Sequence, residues 1–277
     1  MSNAVRIGHG PFGRVALLDM DQGLVRHAHP HCHVLLKGGG EDTQFSVGDD
    51  LADLTDDSAV LINAWEPHAY VHRPQSPRSK ILALYIEPKW LSLFRHNWAA
   101  SGGPGFFTSH AGGVTQQIRN LADELAQAML ADPEAGTAHQ ALLGTLMVAV
   151  IERFSDWRRV SPTGNRLDWR VRRAIATIRR DPGAVADMGK LARESGLSRA
   201  HFFRLFSEAT GMAPGMFANM LRMEASVGEL VTGQRSMAEV SDDLGFSAPA
   251  HFTRFFRSHA GSAPSEFRSI ARLQQAA

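Results

Sequence analysis

The chain reads as a two-domain α+β protein, an N-terminal β-barrel with two flanking helices followed by an all-α C-terminal domain. Three observations lead there. Its 277 residues exceed the roughly 100 to 200 of one ordinary domain. Short apolar runs separated by turn residues fill the first third, and from about residue 114 apolar residues recur at helical steps of three and four. Near the end, one segment occurs twice.

The apolar runs at residues 15–18, 34–36, 60–62 and 81–86 have strand length. Between and beside them stand Gly38-Gly39-Gly40, Gly48-Asp49-Asp50, Asp56-Asp57-Ser58 and Arg73-Pro74-Gln75-Ser76-Pro77, a spacing that suits a small barrel or sandwich. A helix follows, with Val114, Ile118, Leu121, Leu125 and Met129 on one stripe, and Asp132-Pro133 ends it. A second helix, from about residue 137 to 157, is apolar round much of its circumference through Leu142, Leu146, Val150, Ile151 and Phe154. Two roles stand open for this pair: covering the barrel, or meeting a second copy of the chain. Ser161-Pro162-Thr163-Gly164-Asn165 reads as linker, so the expected domains are 1–160 and 168–277, joined by 161–167.

Composition narrows the function classes. The single cysteine, Cys32, forms no internal disulfide, and no charged segment followed by an apolar one opens the chain. A reducing cytoplasm is the expected setting. No run approaches the roughly 18 apolar residues of a membrane span. Charge is divided: residues 1–165 hold 13 basic against 17 acidic side chains, residues 166–277 hold 16 against 11. A basic C-terminal half in a near-neutral protein points to a polyanion there.

The repeat supplies the polyanion. Gly196-Leu-Ser-Arg-Ala-His-Phe-Phe-Arg-Leu-Phe206 recurs, with one inserted residue, as Gly245-Phe-Ser-Ala-Pro-Ala-His-Phe-Thr-Arg-Phe-Phe256. From the histidines onward the register is constant at 50 residues, pairing His201 with His251, Arg204 with Arg254, Gly211 with Gly261 and Pro214 with Pro264. Each copy reads as a short helix, a glycine turn and a second helix, the helix-turn-helix arrangement. Gly196 and Gly245 permit the left-handed backbone that stops the first helix, and Ser198 and Ser247 are placed to accept the free amides that start the second.

On each second helix one face, Phe202, Leu205 and Phe206 or Phe252, Phe255 and Phe256, belongs to the core. The opposite face is offered to DNA: Ala200, His201, Phe203, Arg204 and Ser207 in the first copy, Pro249, Ala250, His251, Thr253, Arg254 and Arg257 in the second. An arginine there can give two hydrogen bonds to guanine, and Thr253 or Phe203 can touch a thymine methyl. Arg204 and Arg254 are the foremost base-reading candidates; a phosphate contact or an ion pair within the domain is the other use for them. Residues 215–231 have helical spacing and would join the two copies rigidly, so that the readers enter successive major grooves.

Residues from about 168 to 270 resemble the DNA-binding domain of the AraC/XylS family of bacterial transcription regulators. The second copy, through Gly-Phe-Ser, His-Phe-x-Arg-Phe-Phe and Gly-x-x-Pro-x-x-Phe, carries the resemblance most closely, and the first nearly as well. It implies two helix-turn-helix units on a connecting helix, promoter DNA and RNA polymerase as partners, and an N-terminal domain that binds an effector or forms a homodimer.

Histidines stand at 27, 29, 31 and 33, which in an extended strand would share one face. Converging imidazoles are common ligands of divalent zinc, nickel or iron. The segment resembles the first motif of the cupin β-barrel, His27-Ala28-His29 followed by His33, and Glu66-Pro67-His68 stands where the second motif would supply its histidine. That resemblance implies a cupin-like barrel with His27, His29, His33 and His68 as metal ligands. The glycine pattern of the second motif is degenerate, and Pro30 stands where it would break the strand and turn His31 elsewhere. The other reading is a metal-free polar pocket for an organic effector, lined by His31, Trp65, Tyr70 and His72.

Three functions follow from these residues. The first is a DNA-binding transcription regulator that answers to a small-molecule or metal effector and is not an enzyme. The second is a cupin metalloenzyme with a DNA-binding appendage; no nucleophile elbow, phosphate loop or evident carboxylate base accompanies the histidines, so the metal would carry all the chemistry. The third is a constitutive DNA-binding protein whose barrel only dimerises.

Overall fold

The computed structural model describes residues 2–73, 75–158, 168–183 and 187–273. The chain forms two compact units, Met1–Pro162 with Ala260–Ala277, and Thr163–His259. The expected linker at 161–167 lies outside the described residues.

In the first unit, β1 (Asn3–Gly10), β2 (Gly13–Met20), β3 (Cys32–Gly40), β6 (Ser58–Ile62), β8 (Ser79–Ile86) and β9 (Ala111–Gly113) belong to one sheet, and β4 (Thr43–Val47), β5 (Asp50–Leu54) and β7 (His68–Val71) to another. The larger sheet runs β10-β1-β2-β8-β3-β6-β9, where β10 is Ala271–Leu273 paired in parallel with β1. This pairing corrects the expectation of a C-terminal domain running to residue 277: the chain end counts with the barrel because β10 extends its sheet. The turn at Gly48 falls where expected, with φ 57° between β4 and β5. Gly38-Gly39-Gly40 does not form a separate turn: it is the end of β3, with a register shift between Lys37 and Gly39.

Alternation sorts the two faces of the larger sheet. Val15, Val34, Leu36, Leu61, Leu82, Leu84 and Ile86 point outward into a buried cluster with α2 (Gln116–Ala131) and α3 (Gly136–Phe154). Those helices contribute Ile118, Leu125 and Met129, and Leu143, Leu146, Val150 and Phe154. Both therefore cover the barrel, and the side of α2 left to solvent is polar, with Gln117, Asn120, Glu124 and Gln127. Before them, α1 (Pro88–Phe94) and a 3-10 turn (His96–Gly102) add Trp90 and Trp98 to the cluster. The inner face turns Arg14, His33 and Tyr85 toward the smaller sheet, whose buried residues include Phe45, Leu54, His68 and Tyr70. The rings of His33 and His68 lie 5.3 Å apart across this space.

The C-terminal elements are α4 (Trp169–Arg180), α5 (Met188–Glu194), α6 (Arg199–Thr210), α7 (Pro214–Thr232), α8 (Met237–Asp243), α9 (Pro249–Ala260) and α10 (Pro264–Ile270). The pairs α5–α6 and α8–α9 are the two repeat copies, and α7 is the connecting helix expected at 215–231. Pro214 and Pro264 begin α7 and α10, where the missing amide costs nothing.

Candidate functional site

Each helix-turn-helix is assembled by local rules. α5 starts at Asp187, whose carboxylate accepts from the amides of Gly189 and Lys190. It stops at Gly196, with φ 70°, and Ser198 then accepts from the His201 amide to start α6. α8 starts with a capping box in which Ser236 accepts from the Glu239 amide and the Glu239 carboxylate takes the Ser236 amide. It stops at Gly245, with φ 73°. One expectation changes here: the Ser247 hydroxyl, placed by the sequence to start α9, pairs with His251 Nδ1 at 2.7 Å.

The reading helices anchor through two phenylalanines each. Phe202 and Phe206, and Phe252 and Phe256, are fully buried, a burial that contributes roughly 1.5 to 3 kcal/mol per ring. Leu205 and Phe255, assigned to the core from their spacing, are only half-buried, so the buried stripe is narrower than expected. The opposite faces are open. Ala200, Arg204, Pro249, Ala250, His251, Arg254 and Arg257 are exposed, while His201, Phe203, Ser207 and Thr253 are half-buried. Arg204 is tied to Glu208 of its own helix at 3.3 Å. Arg254 and Arg257 have no ion-pair partner among the described residues. The Thr253 hydroxyl donates to the Pro249 carbonyl, which leaves its methyl for an apolar contact. Arg199 covers the Phe203 ring at 5.5 Å.

In the barrel the histidines converge by a different route from the one expected. Residues 27–31 are not a strand: His27 forms an isolated bridge with His68, His29 lies in irregular chain, and only His33 is on β3. Pro30, which has no amide to pair, stands in the break. Paired amides and carbonyls of His27 and His68 at 2.8 and 2.7 Å, and the Trp65 amide on the His29 carbonyl at 2.7 Å, fix the loop against β7 and the turn before it. Trp65 holds a left-handed backbone, φ 69°, to make that contact.

One imidazole nitrogen from each of His27, His29 and His68 lies within 4.8 Å of the other two. His27 Nδ1 donates to the Val25 carbonyl and His68 Nδ1 to the Glu66 carbonyl, so each presents Nε2 with its lone pair. Burial disfavours the charged form of three of the inner rings: His68 is lowered to about 4, and His29 and His33 lie well below the ordinary histidine range. Three imidazoles with a nitrogen each turned to one point fit a divalent metal, although the about 3.4 Å nitrogen separations of a tetrahedral site would need the rings to draw in from up to 4.8 Å. His33, expected as the fourth ligand, is instead stacked on Tyr85 at 4.0 Å.

Of the four pocket candidates only Tyr70 and His72 are brought together. His31 turns away to Glu87, Nε2 to carboxylate 2.8 Å. Tyr70 is buried against Phe45 and shares a hydrogen bond with His72. His72 lines a cavity of about 280 Å³ with Asp42, Thr43, Gln44, Asp53 and Arg73, and none of the other three lines it. Two residues beside the histidines escaped the sequence reading: Arg14, whose guanidinium lies 3.9 Å over the Tyr85 ring, and Tyr85 itself. The available signal was a charge inside the apolar strand Gly13–Met20.

Comparison with known proteins adds the following. Residues 191–270 match the helix-turn-helix domain family and residues 15–147 the AraC-like ligand binding domain family. An uncharacterized HTH-type transcriptional regulator of Haemophilus influenzae is 29% identical over 83 residues, 30% of this chain, and the match spans 28% of that protein's length. Among solved structures, the apo form of a single-substitution variant of ToxT from Vibrio cholerae superposes with a TM-score of 0.57 at 14% identity, covering 92% of this chain and 96% of that one. ToxT bound to an unsaturated fatty acid gives 0.55 at 12%, covering 92% and 94%. ToxT bound to (E)-4-(8-methylnaphthalen-1-yl)but-3-enoic acid gives 0.53 at 12%, covering 98% of each chain. At such identities the likeness is one of fold.

Proposed function

The chain belongs to the AraC-type DNA-binding regulators with an N-terminal ligand-binding domain, and from that premise we propose that a small acidic effector in the barrel sets how firmly two reading helices hold promoter DNA in the cytoplasm. The observation that carries this reading is the duplicated helix-turn-helix with its arginines outward. In it, Arg204 and Arg254 read bases, Ala200, His201, Phe203, Ser207, Pro249, Ala250, His251 and Thr253 shape the fit, and Arg257 meets phosphate. α7 spaces the contact sets about 10 bp apart.

An acidic effector is supported by the two ToxT ligands, which are both carboxylic acids. Whatever its identity, the ligand shifts DNA affinity only by binding the gripping and released states unequally. His27, His29 and His68 would hold a divalent zinc, nickel or iron ion, which when bound would supply a Lewis acid and a fixed positive charge; no catalytic step is assigned to it. A homodimer, and contact of the bound protein with RNA polymerase, complete the proposal.

The test is fluorescence anisotropy of the full chain on its own upstream DNA and on a scrambled duplex of the same composition, at stated salt, with and without octanoate. Binding that is salt-sensitive, prefers the upstream DNA and changes with the acid is expected. Equal affinity for both duplexes under all conditions would refute the regulator reading.

A further inference from the structure

Arg14 stands opposite Tyr85 in the β2–β8 ladder, and Tyr85 stands opposite His33 in the β8–β3 ladder. Directly opposed residues share a sheet face, so the three form one row across the inner side of the larger sheet. The contacts bear this out: the guanidinium lies 3.9 Å over the Tyr85 ring, which is stacked on His33 at 4.0 Å. Arg14 is 6% exposed, and no carboxylate of the described residues lies within ion-pair distance of it. A cation taken out of water without a counter-charge is costly, and an apolar side chain would serve the strand better.

His33 repeats the pattern. It is 3% exposed and neither ring nitrogen has a hydrogen-bond partner. One of the two carries the proton of the neutral ring, so it is a buried donor without an acceptor. The Arg14 charge also bears on His29 and His33 and disfavours their protonation. The row thus presents two kinds of donor and an unbalanced positive charge. Beyond it on the same inner face are the small and apolar side chains of Ala16, Leu35 and Ala83.

We propose that Arg14 is the anchor for the carboxylate of the effector: the guanidinium gives it two parallel hydrogen bonds, His33 gives a third, and Tyr85 holds the guanidinium plane. The assignment rests on the reading of the barrel as the effector domain and makes Arg14 the residue that selects acids over neutral analogues. A planar fork matches a carboxylate where the ammonium of lysine would not.

The test uses the full chain and titrates a straight-chain series, butanoate to hexadecanoate, each against the primary alcohol of equal length, by calorimetry on wild type, Arg14→Gln and Arg14→Lys. At least one acid should bind wild type about tenfold or more tighter than its alcohol, a preference that Arg14→Gln abolishes and Arg14→Lys restores in part. Arg14→Met should leave the melting temperature of the ligand-free protein unchanged or raised. The proposal is overturned if no acid of the series binds wild type, if inorganic phosphate outcompetes every acid, if Arg14→Gln keeps the preference, or if Arg14→Met lowers the melting temperature by several degrees. DNA affinity of the same ligand-free variants is read separately. Its loss in wild type and variants alike would refute the regulator and leave the acid site standing.

Discussion

The two helix-turn-helix copies share a 50-residue register and bury corresponding phenylalanines, yet they are built to different tolerances. At Gly196 a Cβ would meet nothing within 4 Å, whereas at Gly245 it would overlap the carbonyl of Gly183. The first copy starts on an aspartate cap, the second on a reciprocal capping box. On the reading face the contrast continues: Arg204 is tied to Glu208, while Arg254 and Arg257 have no acidic partner among the described residues. A duplicated sequence has yielded one copy with a looser turn and a partly neutralised face, and one with a tight turn and a free basic face. The second copy is therefore expected to grip DNA more firmly than the first.

The largest test of this difference is in the turns. Gly245→Ala should cost about 3 kcal/mol or more, since left-handed strain and a backbone clash add, whereas Gly196→Ala should cost about 1 to 2 kcal/mol from strain alone. Hydrogen exchange of the α8–α9 amides in one variant and the α5–α6 amides in the other reads the two costs locally. Equal costs would erase the distinction between the turns. Next in size, Arg254→Ala should weaken binding to the specific site by about 1 to 3 kcal/mol and to random DNA far less. Arg204→Ala should lose less, by at least the few tenths of a kcal/mol that its exposed pair with Glu208 is worth in the free protein. Competition binding with both duplexes decides it, and a uniform loss for Arg254→Ala would reduce it to a phosphate contact.

Smaller effects sharpen the picture. Ser236→Ala should cost about 1 kcal/mol of stability through the lost capping box, seen as a lowered urea midpoint with an unchanged slope. Glu208→Gln should release Arg204 and strengthen DNA binding by a few tenths of a kcal/mol, since an exposed i,i+4 pair contributes no more than that. A weaker grip from Glu208→Gln would mean that the pair positions Arg204 for DNA.

Much of this was legible in the sequence because it is local. The repeat register, glycine turns and phenylalanine spacing depend on neighbours within a few residues, so α6, α7 and α9 fall where the pattern puts them. The barrel runs were equally plain, whereas His68 was joined to His27 and His29 only by the likeness to the cupin motifs and not by any local spacing. What escaped was non-local. The strand expected at residues 27–33 is replaced by a bridge between His27 and His68, a contact spanning 41 positions of chain. His31 finds Glu87, and β10 finds β1, across still longer separations. Arg14 and Tyr85 are set beside His33 by sheet order, which no spacing in the sequence announces.

The central claim is that two unequal readers hold one DNA site. Footprinting of the wild type, Arg204→Ala and Arg254→Ala on the chain's own upstream DNA, at one stated salt concentration, tests it most directly. The wild type should protect two contact sets about one helical turn apart, Arg204→Ala should keep both at somewhat higher protein concentration, and Arg254→Ala should lose the set under α9 together with most of the site preference. Protection without sequence preference, or identical loss from the two substitutions, would contradict it.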